Sequence, residues 1–91
     1  MKALNRSTHE IAQILIRSKN EIEMGKLLED LLTPAELDDV AERIRIVEAL
    51  LKGMSQRMVA KQLGVSVSKT TRGSQLIQYG TGTLSSKLSG R

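Results

Sequence analysis

The run from Thr33 to Gly53, TPAELDDVAERIRIVEALLKG, constrains the fold more than any other stretch of the chain. Thr33 can accept from the free N–H groups of a helix start. Pro34 fits the first helical position, where its missing N–H costs nothing, and Glu36 can reach back to close a capping box. Leu37, Val40, Ala41, Ile44, Val47 and Leu51 then recur at helical spacing, and Ile46 and Leu50 add a second apolar edge. A helix apolar on more than one side needs more than one neighbour. In a chain of 91 residues, that neighbour could be another subunit. Lys52 and Gly53 close the helix, the cation near the negative end of the dipole and the glycine free to turn left-handed.

The rest of the chain carries the same periodicity in shorter pieces. Ser7 or Thr8 is the expected cap of a first helix bearing Ile11, Ile14 and Leu15. A second pattern runs from about Glu21 to Leu32, with Met24, Leu27, Leu28, Leu31 and Leu32 on one stripe, weakened by Gly25. Ser55 caps a short helix over residues 56–63, buried through Val59, Ala60 and Leu63 and stopped by Gly64. Ser66 caps another, from Val67 to about Gln78. Gly80 to Thr83 read as a loop, Leu84 and Leu88 suggest a weak last helix, and Ser89–Arg91 a loose tail. With no strand-like alternation and no repeats, the chain reads as one all-α domain over residues 1–91. Residues 1–53 are its core and dimerisation helices, 54–78 a helix-turn-helix, and 79–91 a loose C-terminal segment. The leucine and isoleucine stripes read as core, and that core is aliphatic because one tyrosine is the only aromatic residue.

Charge is segregated along the chain. Residues 1–20 hold four basic and one acidic side chain, residues 21–42 one basic and eight acidic, and residues 43–91 nine basic and one acidic. The basic half suits a polyanion. The scarcity of rings disfavours base stacking on single strands. No cysteine is present, so no disulfide framework or thiolate metal site can be drawn, which suits a reducing cytoplasm. No apolar run approaches the ~18 residues of a membrane span. Nothing points to an enzyme. His9 has only Glu10 near it as a metal partner, and the run Glu36, Asp38, Asp39, Glu42 suits the solvent face and the N-terminal end of a helix dipole. Gly80 and Gly82 follow no strand and lack a phosphate-loop lysine.

The two short helices share a spacing with a physical logic. Ala60 is small enough for a second helix to cross close over it. Gly64 supplies a turn of positive φ, Val65 plugs the corner, and Ser66 starts the next helix at once. This is the sequence shape of a helix-turn-helix, whose second helix enters the major groove of DNA. It explains why the helix after Ser66 carries Ser, Thr, Lys and Arg: its outer face must hydrogen-bond. Val67, Ser68, Lys69 and Thr71 lie at or near its N-terminal end, which contacts base edges. Arg57 and Lys61 on the preceding helix can meet phosphates. Thr70 falls at an inward position that an aliphatic residue would fill better. A plain helical hairpin with a glycine turn, or a basic helical module for an acidic partner protein, is the competing reading.

The blocks LTP, RIRIVEALL, MSQR, LG and TRGS, in this order between Leu31 and Ser74, resemble the Trp repressor family. The handful of blocks covers roughly half the chain. The resemblance implies an intertwined all-α homodimer that binds double-stranded operator DNA and uses L-tryptophan or a related amino acid as corepressor, with no other cofactor. It would place Thr33 and Arg43 on one wall of the amino-acid pocket and Arg72 and Gly73 on the other, with Arg72 on the ligand carboxylate and the indole between the two arginines. Guanidinium groups suit that chemistry, since they bind carboxylates in a fork and stack on π-systems. Generic readings stand beside these roles: Thr33 as a helix cap, Arg43 in a surface ion pair, Arg72 facing DNA directly. Gln75 and Leu76 stand where tryptophan-binding members usually have Asn and Ser, and Met54 follows Gly53 without their extra residue.

Overall fold

Side chains that cap backbone N–H groups set most of the helix starts. The computed structural model describes residues 4–89. Helix α1, Arg6–Leu15, starts at Asn5, whose Oδ1 accepts from the Thr8 amide at 2.8 Å. The cap therefore falls before Ser7 and Thr8, which lie inside the helix. Asparagine two residues earlier already supplies the oxygen that either would have offered. Helix α2, Glu21–Leu31, is capped by Asn20 and has Glu21 and Glu23 in its first turn, where the dipole favours them. Helix α3, Pro34–Leu51, opens on the capping box: Glu36 N–H donates to Thr33 Oγ1 at 3.2 Å, and Thr33 N–H donates to Glu36 Oε1 at 2.9 Å.

Helix α4, Gln56–Leu63, is capped by Ser55, and α5, Val67–Tyr79, by Ser66. Between them Gly64 takes φ 66°, and Val65 N–H donates back to Ala60 carbonyl at 3.0 Å, satisfying the end of α4. The last helix, α6, Thr83–Ser89, carries Leu88, which is buried. Residues 79–91 are thus helical over most of their described length, and the end of the expected tail at residues 90–91 lies outside the described residues. All six helices and no strand occur among the described residues, so the chain is all-α. No helix among them is long and apolar enough to cross a membrane.

The chain divides into two compact units, Met1–Leu37 and Asp38–Arg91. In the second, Ile46, Val47, Val59, Ala60 and Leu88 form the buried apolar core, and α4 packs on α5 more densely than any other helix pair. Leu63 is not part of that core; it is 38% exposed. In the first unit, α1 and α2 bury no residue: Ile11, Ile14, Ile22 and Leu31 are exposed. Their apolar stripes follow the expected spacing, yet they do not form a core within the chain.

Candidate functional site

The second unit holds α4 and α5 in the arrangement the Ala60–Gly64–Val65–Ser66 spacing predicts. Thr70, the inward residue of α5, is fully buried, and its hydroxyl donates to its own helix at Val67 carbonyl, 2.7 Å away. That internal bond is how a threonine fits a position better suited to an aliphatic side chain. Val67, Ser68, Lys69 and Thr71 are all exposed, as are Arg57 and Lys61 on α4. The six side chains singled out for DNA are therefore at the surface of one compact unit, four of them on the first half of α5.

Two polar links fix this surface. Thr71 Oγ1 donates to Gln56 Oε1 at 2.9 Å, tying the second turn of α5 to the first residue of α4. Lys69 Nζ lies 2.6 Å from Glu42 Oε1, tying the first turn of α5 to α3. The Glu42 carboxylate, by hydrogen bond and charge, raises the pKa of the Lys69 ammonium above the ordinary lysine range, with Asp39 adding to the effect. Neither partnership shows in the sequence, where Glu42 reads only as part of a solvent-facing acidic run; in the structure it is half-buried beside Lys69. The MSQR block contains Gln56, but a glutamine at a helix start gives no sign of a partner fifteen residues on.

Beside α5 lies a cleft of about 580 Å³ within the second unit. Arg43 and Glu42 of α3 line it, and Arg72, Gly73, Leu76 and Tyr79 of α5. Three of the four residues given to the amino-acid pocket by resemblance thus share one cleft. The fourth, Thr33, belongs to the first unit, where its amide and hydroxyl are both engaged by Glu36. Those bonds hold the Glu36 carboxyl below the usual glutamate range, the backbone bond contributing most. Gly73 is buried for a reason of packing: a Cβ there would stand 2.8 Å from Ile46 Cγ2 and 3.3 Å from Leu50 Cδ1. The glycine lets α5 approach α3, and that approach forms the floor of the cleft.

Two short helices joined at a glycine turn, with an arginine-walled cleft of ligand size lined by the second of them, have the geometry of a helix-turn-helix with room for a small molecule beside it. A family model described as Trp repressor protein matches residues 6–90. The chain belongs to the Trp repressor family, which is regulatory and not enzymatic. Among its relatives, a Trp operon repressor homolog of Xylella fastidiosa is 42% identical over 69 residues, 75% of this chain and 75% of that protein. One from Vibrio campbellii is 34% identical over 80 residues, 87% of this chain and 80% of that protein. One from Chlamydia trachomatis is 39% identical over 64 residues, 65% and 68% of the two chains. No solved structure matches the chain.

Proposed function

We propose that the protein is a homodimeric, sequence-specific DNA-binding transcriptional repressor, not an enzyme, controlled by L-tryptophan or a related amino acid. Residues 1–53 would serve core and dimerisation, and residues 54–78 would read double-stranded operator DNA. The observation that carries this reading is that the Arg43 and Arg72 cleft is lined by α5 itself, from the exposed Lys69 of its first turn to Tyr79 at its end. A ligand there presses on the helix that enters the groove. In a dimer the tilt of that helix sets the separation of the two readers, which must match one turn of DNA, about 34–36 Å. The ligand acts only through its preference for the DNA-competent arrangement.

In this reading Val67, Ser68, Lys69 and Thr71 face base edges, and Arg57 and Lys61 meet phosphates. Arg72 takes the ligand carboxylate and Arg43 and Gly73 flank the side chain; Thr33 joins them on the family resemblance alone. Such a regulator works in the cytoplasm, where its DNA is. Dimerisation is supported by the exposed isoleucines and leucine of α1 and α2.

A second reading, a ligand-independent regulator of the same fold, is favoured by one feature. Leu76 lines the cleft where a family serine would help hold the ligand ammonium group. The test is selection from a random duplex library, then binding across a salt series with and without L-tryptophan. The proposal expects affinity to fall linearly with the logarithm of salt, a scrambled duplex to bind about 10³-fold more weakly, and L-tryptophan to tighten the specific complex. Equal binding to scrambled DNA would overturn the repressor. Titration calorimetry without heat, and unchanged operator affinity, would leave the ligand-independent regulator.

A further inference from the structure

We propose that the Lys69–Glu42 ion pair is a latch across the cleft, and that ligand and DNA are coupled because each needs it open. The inference rests on the ligand-controlled DNA binding proposed above and names a contact through which that control runs.

The pair joins the two walls of the cleft. Glu42 stands on α3 and Lys69 on α5, 27 residues apart in the chain, and both line the same space. With Nζ and Oε1 2.6 Å apart, a ligand lodged between α3 and α5 at this end must part them. The two ends differ in freedom. The Glu42 side chain is 28% exposed and the Lys69 side chain 53%, so the carboxylate is the post and the lysine, on its flexible four-carbon stem, the moving arm. The bond and charge of Glu42 also hold Lys69 in its charged form. Lys69 belongs at the same time to the exposed first turn of α5. One side chain thus faces both the cleft and the surface offered to DNA. An exposed ion pair is a weak bond, which favours the closed latch by about 2- to 5-fold. A ligand that enters only the open cleft loses that factor in affinity. DNA loses it too, since a polyanion attracts the ammonium and repels the carboxylate that holds it. Whichever binds first opens the latch for the other, so each raises the other's affinity by the same factor. Arg43 and Arg72 stay available to the ligand throughout, because neither takes part in the latch.

The test uses the full chain, titration calorimetry with L-tryptophan, and affinity for a duplex selected from a random library, measured with and without L-tryptophan. The proteins are the native one, Glu42→Gln, Lys69→Met, the double variant of these two, and Asp39→Asn. Glu42→Gln and Lys69→Met should each tighten L-tryptophan by about 2- to 5-fold, and the double variant by no more than either alone. In Glu42→Gln the gain in duplex affinity that L-tryptophan brings should shrink by the same factor. Asp39 also lines the cleft but acts on Lys69 through charge only. Asp39→Asn therefore removes a carboxylate without unlatching the pair, and should leave the gain close to its native size. The latch is overturned if Glu42→Gln fails to tighten L-tryptophan, if the gain keeps its native size in that variant, or if the two single effects add. It is overturned equally if Asp39→Asn reproduces both effects, which would make charge alone the cause. If neither the native protein nor any variant gives heat with L-tryptophan or a change in duplex affinity, the ligand-controlled reading itself fails and this inference with it. Binding of L-tryptophan without the latch effects removes this inference and leaves that reading standing.

Discussion

Gly73 has no room for a side chain. Its missing Cβ would lie 2.8 Å from Ile46 Cγ2, a methyl on a β-branched residue whose χ1 is stiff, with Leu50 close behind. Gly73→Ala gains about 1 kcal/mol in helix propensity but overpacks the α3–α5 contact, which costs about 1–3 kcal/mol. A net loss of about 1 kcal/mol is expected in urea denaturation. Ile46→Leu removes the offending Cγ2, so the double variant should lose less than the two single losses together, a coupling a mutant cycle reads directly. Additive losses would mean the contact is not the cause. At Glu36 the matter is pH. Its carboxyl is held low by the bonds from Thr33, so its contribution to α3 is complete above the ordinary glutamate value of about 4.3 and fades as pH falls through its lower folded value. An NMR titration should find Glu36 among the last glutamates to protonate, with the Thr33 amide following the same curve. Glu36→Gln should abolish that movement of Thr33 while keeping the cap.

Helix boundaries were largely legible from the chain because each is written in local chemistry. Thr33 with Glu36, Ser55, Gly64 and Ser66 each act within a turn of their own position, and the structure places each of those caps and turns as the spacing predicts. Asn5 was missed only because two other good caps follow it closely. The site was legible in part: the exposure of Val67, Ser68 and Thr71 follows from their spacing about the buried Thr70. The partners of Thr71 and Lys69 were not legible, since Gln56 and Glu42 meet them only through the packing of separate helices. The Lys69 pair has a consequence for DNA. An ammonium held 2.6 Å from a carboxylate must leave it, or share it, to meet a base edge. Glu42→Gln should therefore sharpen the base preference at the position that Lys69 faces, whereas Lys61→Ala should weaken all sequences alike and reduce the salt slope by about one phosphate equivalent. An unchanged base preference for Glu42→Gln would place Lys69 away from the base edges.

The apolar stripes of α1 and α2 raise a question that one copy of the chain does not answer. These helices are 10 and 11 residues long and bury nothing, while every fully packed apolar residue belongs to the second unit. Isolated helices of that length are marginal in water, so something must cover Ile11, Ile14, Ile22 and Leu31 for them to persist. A second copy meets the need, as the Trp repressor family implies, and it makes stability a function of concentration. If folding and dimerisation are one step, each tenfold rise in protein adds about 1.4 kcal/mol to the folded side. The thermal midpoint should then fall steadily across a hundredfold dilution series, with a dimer mass in sedimentation throughout the folded range. Ile14→Glu and Ile22→Glu each put a charge where the second copy would lie. Both should lower the midpoint, steepen its dependence on concentration, and shift the sedimenting species toward monomer. A midpoint indifferent to dilution, with monomer mass and ordered α1 and α2, would mean that these stripes are covered by something other than a second copy.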